Sequence, residues 1–147
     1  MAKIPAAYFL CWAPHIYAAG VLAGKVYDNA NPRDFRDNVV KSEALEKATK
    51  QRILRAEGAS QNGFESLGFF AAAVVAGNMA GLGATELNAL SVSYVATRLA
   101  FVVVYVHFQT DRWWSAPRSA FWLAGIGLVF RLWIRAGLVV MRAGRMA

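Results

Sequence analysis

The chain has one cysteine, Cys11, so no intrachain disulfide is possible. Cys11 falls within an apolar run, where packing is its expected role. The two histidines, His15 and His107, stand far apart without neighbouring ligands, so no metal site is expected. No phosphate loop, dinucleotide fingerprint or nucleophile–base pair is present. Acids are scarce: nine Asp and Glu stand against sixteen Lys and Arg, a net charge of +7. On a soluble protein that excess would suit nucleic acid, but no basic–aromatic pattern of that kind occurs and no nucleic-acid partner is expected. The bases flank apolar runs, which suits anionic lipid headgroups or a small anionic ligand. Charge of either sign makes up only 17% of the chain, below the quarter usual in soluble domains.

Hydrophobic residues fill the gap, at 57%. They cluster in four stretches, about Ile4–Gly24, Phe64–Leu82, Leu87–Phe108 and Ala116–Val140, each near the roughly 20 residues that span a bilayer as helix. The expectation is an all-α integral membrane protein, one domain over residues 1–147, with helices at about 4–24, 40–82, 87–111 and 116–142. A soluble helical bundle is the alternative, but four such segments would over-fill the core of so short a chain. Lys3 followed by an apolar run also resembles a signal peptide; the run is longer than a signal core and is interrupted by Pro14 and His15, so it reads as a retained first helix.

Within the first stretch, Gly20 and Gly24, with Ala19 and Ala23 beside them, form small-residue rows that let helices approach closely, and Pro14 predicts a bend. Residues 25–50 form the strongly polar region. Asn31-Pro32 predicts a turn, and Glu43–Lys47 and Glu46–Lys50 are i,i+4 pairs that predict one long second helix. Gly81, Gly83 and Thr85, the last as an N-cap, predict a tight turn between helices two and three. Trp113 and Trp114 fit an interfacial belt, and Pro117 marks the start of helix four. Lys and Arg in loops one and three place those loops in the cytoplasm, although the arginine-bearing tail RLWIRAGLVVMRAGR argues the other way.

Polar residues inside the apolar helices carry the functional signal. At 100° per residue, Arg55, Gly58, Asn62, Glu65 and Ser66 share about a third of the circumference of helix two. In helix three, Tyr94, Arg98, Phe101, Tyr105, Gln109 and Arg112 form one stripe, while His107 lies on another face. One reading is mutual neutralisation, with Arg98 against Glu65 as helix glue. Against it, Arg55, Arg98, Arg112 and Arg118 outnumber the anions. Cations held in a low-dielectric groove call for an anionic guest, one that also satisfies Asn62 and the tyrosines.

The run R-A-x-x-A-x-x-N-x-x-E from Arg55 to Glu65, then R-x6-Y from Arg98 to Tyr105, then R-S at Arg118-Ser119, resembles the MAPEG family, membrane-associated proteins in eicosanoid and glutathione metabolism. The resemblance implies a four-helix bundle assembled as a homotrimer. It implies glutathione as co-substrate in a cleft between subunits near the cytoplasmic side. Arg55, Asn62, Glu65, Arg98 and Tyr105 would hold it, with Arg118 and Ser119, or alternatively Arg112, near the sulfur and Tyr105 as a further donor. The chain departs from the family pattern at Gly58, where eicosanoid-type members carry arginine, at Phe101 and at Ser66. The implied activity is glutathione transfer to lipophilic electrophiles, or reduction of lipophilic hydroperoxides. Its setting would be the endoplasmic reticulum in a eukaryote or the inner membrane in a bacterium. A non-catalytic lipid-binding or scaffold protein of the same family is the alternative reading, and a transporter or channel the third.

Overall fold

A computed structural model describes residues 3–145, among which there are five α-helices and no strand. Helix α1 spans Lys3–Ile16 and contains Pro14. The departure from α geometry comes just after the proline: Tyr17–Leu22 is π-helical, with the Ala23 N–H donating to the Ala18 carbonyl at 2.9 Å. Proline lacks the N–H that would close the preceding turn, so the ladder is already weakened there. Gly24, at φ +53°, ends this segment in a conformation that side-chain-bearing residues avoid.

The polar loop is pinned by Asp28, which accepts bonds from the Asn31 amide at 3.0 Å and the Ala30 N–H at 2.8 Å. Those bonds, the Asn31 side chain first, hold its carboxyl below the usual carboxylate range. Pro32 opens a short 3-10 turn, Pro32–Asp34, that leads into α2, Phe35–Lys41. Phe35 and Val39 of α2 are fully buried.

The single helix expected over 40–82 is divided. Backbone at Ser42 and Glu46 is extended, and α3 runs Lys47–Met79. The two Glu–Lys pairs that suggested continuity straddle this break. Lys50 instead reaches back, its Nζ donating to the Val40 carbonyl at 3.0 Å, so it caps the exposed carbonyl end of α2.

The α3–α4 turn is a Schellman motif. Gly81, at φ +75°, lets the Leu82 N–H reach the Gly77 carbonyl at 3.0 Å and its own N–H reach Asn78 at 3.1 Å. Gly83, not Thr85, occupies the N-cap of α4, Ala84–Val103; Thr85 lies inside the first turn. A second π-helical segment follows at Val104–Phe108. A 3-10 turn, Arg112–Trp114, then opens into α5, Ser115–Ala143.

Helix α1 packs chiefly on α3 and α4 chiefly on α5, while α3 also touches α5 and α1 touches α4. One apolar core gathers Phe70, Val74, Leu90, Val129 and Leu132 near the α3–α4 turn. The other gathers Ala18, Phe35, Ile53, Ala59 and Phe101 toward the polar loop. Much apolar surface faces outward: Phe9 is 66% exposed, Val21 70% and Met79 85%, as befits lipid contact. Two of the four expected spans, 84–108 and 112–143, are single helical stretches long and apolar enough to cross a membrane. The first is interrupted after Pro14, and α3 carries Asn62, Glu65 and Asn78 among its apolar residues.

Helices α1 and α3 come close together at Gly63, where a Cβ would stand 2.9 Å from Cys11 Sγ and 3.1 Å from Cys11 Cα. Gly63→Ala therefore has to separate the two helices, and a loss of about 1–3 kcal/mol is expected. This reads out as a lowered melting temperature in detergent. Gly127→Ala, which meets nothing within 4 Å, serves as the control and leaves the melting temperature unchanged.

Candidate functional site

A cleft of about 260 Å³ opens where α3, the π-helical end of α4 and the first turns of α5 converge. Gly58 and Asn62 line it from α3, Phe101 and Tyr105 from the fourth helical stretch, and Arg118, Ser119 and Trp122 from α5. Each set follows helical spacing: four residues separate Gly58 from Asn62, Phe101 from Tyr105 and Arg118 from Trp122, so each pair stacks along one face.

Arg98 stands behind the cleft, bonded to two of the residues that line it rather than lining it itself. It is only 5% exposed. Its Nη2 donates to Asn62 Oδ1 at 2.8 Å, and its guanidinium lies 4.5 Å from the centroid of the Phe101 ring. Below it, Tyr94 shares a 3.1 Å hydrogen bond with Ser66 and stacks on Phe70 with centroids 4.0 Å apart. Tyr94 and Ser66 are thus consumed in packing. At the rim, the Arg118 guanidinium stands 4.9 Å from the centroid of the Tyr105 ring, a cation–π pairing that leaves its N–H donors uncommitted.

Gly58 brings the backbone of α3 close to Tyr105. A Cβ there would lie 3.1 Å from the Tyr105 hydroxyl. The tyrosine occupies the space that a longer side chain at 58 would need. Arg55, one turn earlier, donates from Nη2 to the Val106 carbonyl at 3.3 Å. It flanks the cleft without lining it. Buried Nε atoms of Arg52 and Arg55, and Oε1 of Gln109, have no hydrogen-bond partner.

Of the residues expected to act together, Asn62, Arg98, Tyr105, Arg118 and Ser119 converge. Glu65 does not join them: it is exposed and accepts from Gln61 at 3.2 Å. The Arg98–Glu65 glue is therefore not formed within the chain. Arg112 is also exposed and outside the cleft, because the Thr110–Asp111 turn ends the α4 stripe before it.

Among the described residues, a hydrogen bond joins His15 to Glu57 at 2.8 Å and an ion pair joins Arg135 to Glu86 at 2.6 Å. Neither involves the cleft, so Arg98 and Arg118 meet no carboxylate of their own chain at ion-pair distance. The arrangement offers buried and half-buried cationic donors, an amide and a phenol around an open space. It is fit to hold a small polar anion and to stabilise negative charge beside Arg118.

Sequence reasoning did not single out Trp122 or the His15–Glu57 pair. Trp122 was within reach, lying one helical turn beyond Arg118. Nothing in the sequence joins His15 to Glu57, which are 42 positions apart and meet only because α1 packs on α3.

No curated protein and no solved structure gives a match to the chain. The model of the MAPEG family does, over residues 4–138, which reaches into every helix and takes in each residue that lines the cleft. A nearly full-length match, joined to outward apolar surfaces and two helices able to cross a bilayer, makes this chain a membrane protein of the MAPEG family.

Proposed function

We propose that the protein is a glutathione-dependent transferase or peroxidase acting on lipophilic electrophiles or hydroperoxides. The observation that carries this reading is a cleft lined by Asn62, Tyr105 and Arg118, with Arg98 bonded behind Asn62 and no carboxylate to neutralise either arginine. Arg98 and Asn62 hold the carboxylate and peptide groups of glutathione. Arg118 and Ser119 stand toward its sulfur, with Tyr105 as a further donor. Arg112, exposed beyond the Thr110–Asp111 turn, is the less favoured sulfur neighbour.

A thiol such as glutathione titrates near 8.5, so little thiolate is present at neutral pH, and the thiolate is the nucleophile. One guanidinium at about 4 Å and an effective dielectric near 20 is worth roughly 4 kcal/mol. Lowering the thiol pKa by two units needs about 2.7 kcal/mol, well within that. In transfer, the thiolate attacks the electrophilic carbon, a carbon–sulfur bond forms, and the leaving group departs with the bonding electrons. In peroxide reduction, the thiolate attacks oxygen, the O–O bond breaks and the alcohol leaves. A second glutathione thiol then releases water and closes the disulfide.

A homotrimer belongs to the same proposal. Glu65 is exposed on a helix that otherwise turns Phe64, Phe69 and Val75 outward. A carboxylate in that setting is costly unless a neighbouring protomer covers it. Binding without turnover is the second reading, favoured by glycine at position 58, where the resemblance calls for arginine.

Calorimetric titration in detergent is expected to show glutathione binding, weakened at least about tenfold in Arg98→Ala because Asn62 also loses its anchor. Absence of binding by the wild type removes the proposal's first premise. Conjugation of a chlorinated nitrobenzene at pH 7 is expected to fall roughly 25-fold in Arg118→Ala, the ratio of thiolate fractions for pKa values near 6.5 and 8.5, with that loss shrinking to about twofold by pH 8.5. Wild-type binding with no turnover selects the second reading.

A further inference from the structure

A second recess, of about 380 Å³, runs between α1 and α4, and none of its lining residues belongs to the cleft. Its walls are Ala6 from α1 and Val92, Val95, Ala96 and Leu99 from α4; its one polar residue is Lys3, at the start of α1. Lys3 Nζ donates to Asn88 Oδ1 at 2.5 Å. Asn88 is neutral, so it fixes the ammonium in place without offsetting its charge.

Three observations name an occupant. The recess is lined along α4 from Val92 to Leu99, and the Asn88 that holds Lys3 lies one turn further, so headgroup anchor and far end are roughly 16 Å apart at about 1.5 Å per residue. That is about half of a hydrocarbon core of roughly 30 Å, the depth of a single leaflet. Val92 and Leu99 are 54% and 52% exposed, so the recess faces the bilayer where α4 crosses it, and alkyl chains are what the bilayer supplies there. Finally, the end of the molecule that bears Lys3 also bears Arg131, Arg135, Arg142 and Arg145 against a single acid, Glu86. Glu86 is already held by Arg135 through two bonds, at 2.6 and 3.0 Å. This end therefore carries uncompensated positive charge at headgroup level, on the face reached by the arginine-bearing tail.

We infer that the α1–α4 recess seats one acyl chain of an anionic phospholipid, with its phosphate on the Lys3 ammonium. The inference is independent of the glutathione reading, since no residue is shared between the two sites. A zwitterionic lipid fits the same walls but brings its own cation to a surface already rich in them. One basic side chain at a membrane surface is worth about a fivefold preference for anionic over zwitterionic lipid.

The test uses the full chain in neutral detergent, titrated with phosphatidylglycerol or phosphatidylcholine, with native mass spectrometry counting retained lipid and a melting curve reading stabilisation. Wild type is expected to retain phosphatidylglycerol about fivefold more tightly and to melt higher with it. Lys3→Gln keeps a hydrogen-bonding partner for Asn88 but loses the preference. Ala96→Phe fills the recess and loses the bound lipid of either kind. Equal retention of the two lipids by wild type, an unchanged preference in Lys3→Gln, or full retention in Ala96→Phe overturns the inference. So does tighter binding of a free fatty acid than of phosphatidylglycerol. High-yield disulfide linkage between copies carrying Val92→Cys in a Cys11→Ser background also overturns it, by showing that a second copy covers the recess.

Discussion

The placement of Arg98 governs the arrangement of the cleft. A guanidinium in the middle of an apolar helix costs at least about 2.5 kcal/mol on insertion scales, and at 5% exposure water does not relieve that cost. The chain offsets it with the Asn62 carbonyl oxygen and the face of Phe101. Because these partners come from α3 and from the next turn of α4, the bond fixes the rotation of the two helices relative to each other. It also fixes the orientation of the Asn62 amide: its oxygen is committed to Arg98, so its nitrogen remains as a donor. The cleft inherits a donor from an interaction whose first effect is to keep a buried charge satisfied.

That fixed rotation accounts for the relation between Gly58 and Tyr105. With Asn62 held against α4, the position one turn earlier on α3 faces the ring one turn beyond Phe101. The 3.1 Å approach to the Tyr105 hydroxyl leaves room for hydrogen and little more. The phenol is braced on one side by backbone and on the other by the Arg118 guanidinium. Any side chain at position 58 would have to push the phenol aside by a few tenths of an ångström.

Helix content was legible from apolar periodicity, and so was the α4 stripe, because spacings of 4, 3, 4 and 4 from Tyr94 to Gln109 leave one face. The stripe failed at Arg112, where a turn intervenes that no periodicity announces. The break at Ser42–Glu46 was hidden for another reason. The acid–base pairs there satisfy the local rule for a helix, while burial of Phe35 and Val39 sets the direction of α2 from outside that window. Glu65 was misjudged relative to Arg98 because a third of a helix circumference is wide enough to hold both an inward edge and an outward one. Asn62 and Ser66 fall on the first, and Glu65 on the second. Contacts between distant helices, such as His15 with Glu57, had no signal in the sequence at all.

The scarcity of acids is what leaves the cleft's arginines available. Position 57 shows how narrow the margin is. Glu57 is adjacent to Gly58 in sequence, yet one residue along a helix is a rotation of about 100°, and that turns its carboxylate toward α1 and His15 at 2.8 Å. The aromatic rings of Tyr27 and Phe35 enclose the histidine edge-on, with centroids 5.9 and 6.2 Å away, and keep the pair in place. Glu86 is committed in the same manner to Arg135 near the α3–α4 turn. Glu57 and Glu86 are thus each held by a partner away from the cleft. The positive field at Arg98 and Arg118 persists because of where the nine acids lie, as much as because of the arginines themselves.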